Sequence, residues 1–155
     1  MAIGAALSTD QPKKKRDRHR TQWAAQFAVA SELCKLDYQV ALTLGNHPGV
    51  DLMVISPKGR MFKVEVKGLY KPDYWQLRKR ESEEGLFYIF AYVPDRKPNQ
   101  FFIIKQAIVN QLLDEHRAKL PPDYPNYRWG LLWTVVRDYC DKWNVLPDYQ
   151  SLSHV

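Results

Sequence analysis

The alternation of apolar and polar positions predicts a helix at the start of the ordered text. From Thr21, apolar residues recur at Trp23, Phe27, Ala30 and Cys34, one face of a helical period, with Val29, Leu33 and Leu36 on an adjoining stripe. Thr21 is the candidate N-cap, and the pattern gives out near Asp37. The text then changes to strands. Tyr38–Leu44 is a first strand, Gly45–Gly49 a loop and Val50–Ser56 a second strand; the turn Pro57-Lys58-Gly59 leads into a third strand over Arg60–Lys67. In that third strand Phe62, Val64 and Val66 alternate with Met61, Lys63, Glu65 and Lys67, a period of two. Pro72–Arg80 reads as a short helix. Leu86–Tyr92 is an apolar run between Gly85 and Pro94, the signature of a buried central strand. Phe101–Ile104 is a short strand, and Lys105–Leu120 a helix stopped by Pro121-Pro122. Trp129–Trp143 suits helix or strand; we assign it as helix. Meander strands followed by a crossover imply an α/β fold, a mixed central sheet flanked by helices.

Composition narrows this. With 155 residues, 45% hydrophobic and 26% charged, the chain can bury one core and is not disordered throughout. A single domain is expected over 21–155, behind a flexible basic arm over 1–20. The longest uninterrupted apolar run, Leu86–Val93, is eight residues, far from the roughly 20 that a membrane span requires. Met1–Leu7 has no basic lead-in and is a poor secretory signal, so a cytoplasmic location is expected. Cys34 and Cys140 are too far apart in sequence to suggest a zinc site or a disulfide framework, and read as small core residues in a reducing compartment.

Charge adds a partner. Lys+Arg number 23 against 17 Asp+Glu, a net +6, and the excess is patterned. Lys13, Lys14, Lys15, Arg16, Arg18 and Arg20 are opposed only by Asp17. A second basic segment includes Lys58, Arg60, Lys63, Lys67, Lys71, Arg78, Lys79 and Arg80, and acids follow at Glu81, Glu83 and Glu84. Such clustering points to a polyanion such as nucleic acid, with a solvated tail as the plainer reading of residues 13–20. Tyr70, Tyr74 and Trp75 interleave with Lys71 and Arg78–Arg80, which suits either nucleic-acid stacking or, for Trp75, core packing.

The candidate chemistry lies in the hairpin. If Pro57-Lys58-Gly59 is a three-residue loop with Gly59 in the left-handed conformation, Ser56 pairs with Arg60 and Asp51 falls opposite Glu65. Directly opposed residues share a face, so two carboxylates would meet beside Lys67. A hard divalent cation would relieve their repulsion. The alternative is a solvated face in which Lys63 and Lys67 neutralise Glu65.

These segments in order are Gln26-Phe27-Ala28-Val29-Ala30-Ser31-Glu32-Leu33, then Asn46-His47-Pro48-Gly49-Val50-Asp51, a turn, and Phe62-Lys63-Val64-Glu65-Val66-Lys67-Gly68 before an apolar strand. The combination resembles the PD-(D/E)xK nuclease superfamily, the restriction-endonuclease-like fold with its αβββαβ core. The resemblance spans about residues 21–105. It implies that Asp51 and Glu65 are metal ligands, joined by the Val66 backbone carbonyl, and that Lys67 orients or deprotonates the attacking water or stabilises the phosphate. Many members carry a glutamate on the first helix where this chain has Gln26; an amide can offer its carbonyl oxygen but brings no charge. Val50 stands where the motif's proline would precede Asp51.

The implied activity is metal-dependent phosphodiester hydrolysis, in DNA first, with Mg²⁺ as the ion and Mn²⁺ as its substitute. The resemblance also admits a homodimer. Nucleic-acid contacts are expected from Lys13, Lys14, Lys15, Arg16, Lys63, Lys71, Arg78, Lys79 and Arg80. Two other classes stand beside this reading: a non-catalytic nucleic-acid-binding module on the same fold, and an interaction protein whose hairpin carboxylates are surface charge.

Overall fold

The protein is described by a computed structural model over residues 16–44, 47–125 and 128–151. Lys13, Lys14 and Lys15 lie outside the described residues. The first element is α1 (Arg18–Lys35), which starts earlier than expected. Asp17, not Thr21, is its N-cap, and its side chain accepts from the His19 amide at 2.9 Å. The last three positions of the expected arm are therefore the first turn of the helix.

Five strands form the main sheet: β1 (Gln39–Leu42), β2 (Leu52–Ile55), β3 (Met61–Leu69), β5 (Leu86–Tyr92) and β6 (Gln100–Lys105), in the order β1-β2-β3-β5-β6. All neighbours are antiparallel except β3 and β5, which run parallel. This is the expected mixed sheet. The hairpin register is also as expected: Gly59 has φ 84°, Ser56 and Arg60 are bonded, and Leu52 pairs with Val64.

The β3-to-β5 crossover departs from expectation. No helix forms over 72–80. Instead β4 (Tyr74–Gln76) pairs with β7 (Gly130–Leu132) in a small second sheet. Trp75 pairs with Leu131, so a partner far along the chain overrides the local helical cue. The same pairing dissolves the helix expected over 129–143, which becomes β7, a single helical turn α3 (Trp133–Val136) and 3-10 turns. Gly130 lies against the Trp75 carbonyl so closely that no Cβ would fit. Between β6 and β7 runs α2 (Gln106–Ala118), close to its expected bounds.

Core residues cover both sheet faces. Ala25, Val29 and Leu33 of α1 pack with Leu52, Val64, Val66 and Ile89 on one face. Trp75, Tyr88, Phe90, Phe102, Val109 and Leu131 fill the other, so β5 is buried along its whole length. The buried stripe of α1 is thus the adjoining one. Trp23 and Phe27 are 40% and 55% exposed. The reason is close approach: a Cβ on Gly68 of β3 would lie 2.7 Å from the Ala25 Cβ, leaving no room for an aromatic ring. Cys34 and Cys140 are both exposed, not core residues.

The C-terminal segment is tied to the β2–β3 hairpin. Ser56 Oγ donates to Asp148 Oδ2 at 2.6 Å, and Arg60 donates to both carboxylate oxygens, from Nε at 3.0 Å and Nη2 at 2.8 Å. These bonds hold the Asp148 carboxyl below its usual range. A carboxyl lowered in the folded state contributes stability above its unfolded value, about 3.9, and that contribution is lost as pH falls through the folded value. Asp148→Asn should therefore melt below the wild type at neutral pH, and the gap should close as the solution is acidified below about pH 4. Thermal melts of both chains across that range check this. A gap independent of pH would show that the carboxylate's charge plays no part.

Candidate functional site

The site begins with a length mismatch. β2 pairs with β3 only as far as Val64, while β3 continues to Leu69. Beyond that point, among the described residues, the backbone of β3 has no strand on its β2 side, and polar groups there need other partners. Asp51, just before β2, supplies one: its amide donates to the Val64 carbonyl at 3.0 Å and its Oδ2 accepts from the Val66 amide at 2.8 Å. Gln22 of α1 supplies two more. Its Nε2 donates to the Val66 carbonyl at 2.8 Å and its Oε1 accepts from the Gly68 amide at 3.3 Å. One turn further along α1, Gln26 Nε2 donates to Asp51 Oδ1 at 2.9 Å. Thus α1, the start of β2 and the free edge of β3 converge on Asp51.

Glu65 is 6% exposed and registers with Tyr88 of β5. Its Oε1 lies 2.5 Å from Lys67 Nζ and its Oε2 2.5 Å from Arg80 Nη1. Arg80 Nη1 also donates to the Gly49 carbonyl at 2.7 Å. Burial and the nearby Glu65 charge push the Asp51 pKa up, against the Val66 amide bond and Lys67, which pull it down. Burial opposes the charge of Arg80, but Glu65 and Tyr88 outweigh it and raise its pKa. The Tyr88 hydroxyl, buried beside the same pair, is pushed up to about 12, by burial first and Glu65 second.

The expected site residues divide into three groups. Gln26, Asp51, Val66, Glu65 and Lys67 come together, although the Val66 carbonyl already accepts from Gln22. Arg80, expected on nucleic acid, turns into this cluster. The others stay apart from it. Lys63 pairs with Glu83, Lys79 pairs with Asp114 at 2.7 Å, and Lys71 lies over the Tyr70 ring at 5.5 Å. Arg16 pairs with Asp95 at 2.7 Å and covers Tyr70 from 5.2 Å, and Arg78 is exposed. Trp75 is core: it is 2% exposed and its Nε1 donates to the Lys67 carbonyl at 3.0 Å. Gln22 and Tyr88 were not legible as site residues. The one cue for Gln22 was its spacing, one helical turn from Gln26.

Among the described residues no cluster of three or more His, Cys, Asp or Glu gathers. The donor set at the site is the Asp51 and Glu65 carboxylates and the Val66 backbone carbonyl, all oxygen, which suits a hard cation that keeps much of its water; the Gln26 amide presents its nitrogen to Asp51 instead. Beside the site a cleft of about 430 Å³ opens between the start of α1 and the β3–β4 segment, lined among others by Arg18, His19, Lys67, Tyr70 and Tyr74.

No known protein family and no curated protein matches the chain. Among solved structures, its fold is similar to that of a bacterial homing endonuclease, I-Ssp6803I. The TM-score is 0.52 at 15% identity, covering 84% of this chain and 91% of that one. The likeness establishes a shared mixed α/β architecture. Among the described residues no helix is long and apolar enough to cross a membrane.

The raised Asp51 pKa has a measurable consequence. A carboxyl whose pKa is higher in the folded state loses stability for the protein as pH rises from its unfolded value through its folded one. Asp51→Asn removes that cost. Its carbonyl can accept from the Val66 amide while its NH₂ donates to a flipped Gln26. Without added metal, the variant should gain stability relative to wild type as pH rises above about 4 and then level off. Denaturant titrations at several pH values test it; a difference that shrinks over that range would contradict the assignment.

Proposed function

We propose that the protein is a metal-dependent nuclease of the PD-(D/E)xK type that hydrolyses phosphodiester bonds, with DNA as the substrate. The observation that carries this reading is that Asp51 bonds the Val66 amide, one residue along β3 from Glu65, while Lys67 Nζ lies 2.5 Å from the Glu65 carboxylate. The likeness to a homing endonuclease agrees with it at the level of fold. Mg²⁺ fits the oxygen donors of Asp51, Glu65 and the Val66 carbonyl, and Mn²⁺ would replace it. When bound, such an ion supplies charge neutralisation at the phosphate and a more acidic water.

The residues of the chain do the rest. Asp51 is oriented by the Val66 amide and by Gln26, so its carboxylate is fixed before substrate arrives. Lys67, 29% exposed, presents its ammonium at the mouth of the site, where it can meet a phosphate oxygen or the attacking water. Gln26 contributes a neutral amide to Asp51, leaving fewer charges for a second ion. A non-catalytic nucleic-acid-binding module is the second reading. It is favoured by the two cationic partners that Glu65 already has.

A cleavage assay on plasmid and short duplex DNA, with and without Mg²⁺, separates the two. For the nuclease, Asp51→Ala and Glu65→Ala should each abolish Mg²⁺-dependent cleavage, and Lys67→Ala should slow it by about 10²–10³-fold, the cost of losing one charge-stabilising group. Wild-type cleavage by all three variants would refute the site. DNA binding with no cleavage under any divalent ion would favour the binding module.

The basic arm gives an independent test. Because α1 begins at Arg18, removing residues 1–15 takes Lys13, Lys14 and Lys15 without cutting the helix. For every phosphate that these lysines neutralise in the full chain, the truncation should flatten the salt dependence of DNA binding by about 0.9 in log–log slope. The melting temperature should not change. An unchanged slope would mean that these lysines do not touch nucleic acid.

A further inference from the structure

Arg78, Lys79 and Arg80 are consecutive bases, yet they go to different places. Arg78 is exposed and Lys79 pairs with Asp114 at the surface. Arg80 turns inward and is held from several sides. Its Nη1 meets Glu65 Oε2 at 2.5 Å and the Gly49 carbonyl at 2.7 Å. Its own carbonyl accepts from Nδ2 of the buried Asn110 at 2.9 Å, which fixes its backbone. Gly49, at φ 72°, leaves the space the guanidinium occupies: a Cβ there would overlap Nη1 and Cζ. The loop that carries Asp51 therefore also holds the cation that neutralises Glu65.

We infer that Arg80 is a built-in counter-cation of Glu65 that a divalent ion displaces, so that cation binding and release of the Arg80 guanidinium are one coupled event. The inference rests on the proposed metal site. Both oxygens of Glu65 are engaged, one by Lys67 and one by Arg80. An incoming ion needs at least one of them. Lys67 is fixed on the strand next to Glu65, whereas Arg80 reaches in from the irregular segment between β4 and β5. A second acceptor is at hand, since Glu83 Oε2 lies 3.7 Å from Arg80 Nη2. In the cation-free protein Arg80 engages the Glu65 oxygen that Lys67 leaves open, so that both oxygens of a buried carboxylate have a partner. In the loaded protein the same side chain is freed toward the mouth of the site, where a phosphate would lie. Coupling of this kind is reciprocal: whatever holds Arg80 on Glu65 weakens the cation, and whatever draws Arg80 away strengthens it.

The test is Ca²⁺ binding to the full chain by titration calorimetry without nucleic acid, so that turnover plays no part. Two variants are compared with wild type. Arg80→Gln keeps a polar, uncharged side chain and removes the charge. Gly49→Ala keeps the charge but fills the space that Arg80 uses. Circular dichroism establishes that each is folded. Both should bind Ca²⁺ more tightly than wild type, Arg80→Gln by about tenfold, the low end for a close charge pair away from bulk water. Arg80→Gln should also melt lower without Ca²⁺ and gain more from it. Equal or weaker binding by Arg80→Gln would overturn the inference and leave the metal site standing. No binding by wild type or variants would instead refute the metal site itself, and the inference with it.

Discussion

The arrangement of this protein depends on one strand being longer than its neighbour. β3 continues past the end of β2, and the backbone groups of Val66 and Gly68 are left on an open edge. An unpaired edge in a half-buried place is costly unless side chains bond to it. Asp51 and Gln22 do so, from the loop before β2 and from α1. Satisfying the edge is thus the same act as building the site. The carboxylate that bonds the open edge at Val66 belongs to Asp51, one residue along β3 from Glu65, and the helix that covers the edge is the one that carries Gln26.

The close packing of α1 follows from the same constraint. Gln22 can reach the β3 backbone only if the helix lies almost on it, and Gly68 opposite Ala25 permits that distance. The large residues of α1, Trp23 and Phe27, are therefore turned away and stack on each other at 5.6 Å. Charge is arranged around this frame. Glu65 is nearly buried between two cations, while Asp51 has amides rather than cations as its bonded partners. The two carboxylates are consequently unequal. One is already neutralised, and the other bears the electrostatic cost that its raised pKa records.

What was legible in the sequence was what local chemistry fixes. The Pro57-Lys58-Gly59 turn has one glycine able to take a positive φ, and this set the hairpin register as far as Leu52 and Val64; beyond it Asp51 leaves the ladder and bonds the Val64 carbonyl and the Val66 amide, which brings it to the same stretch of β3 as Glu65. The all-apolar run of β5 could hardly be other than a central strand. The failures share a cause as well. On α1 two stripes were apolar, and only the approach of Gly68 decides which is buried. Over 72–80 and 129–143, strand formation comes from pairing between segments more than fifty residues apart. Nothing in either stretch alone reports its partner.

The missing crossover helix matters for the site as well as for the fold. A regular helix over 72–80 would have carried Arg78, Lys79 and Arg80 on successive faces of a cylinder, at most one or two of them toward the sheet. The segment is irregular instead after β4, and it is pinned by side chains of α2: Asn110 donates to the Arg80 carbonyl, and Gln106 accepts from the Glu83 amide and donates to the Glu81 carbonyl. Those bonds replace the ones a helix would make within itself. They hold the chain extended enough for Arg80 to reach Glu65 while Glu83, three residues on, meets Lys63 on β3. The result is a chain of alternating charge, Lys63, Glu83, Arg80, Glu65, Lys67, in which each acid lies between two bases. In such a row no single charge can be removed without unbalancing its neighbours. The cation content of the site is therefore set as much by the crossover and α2 as by the carboxylates themselves.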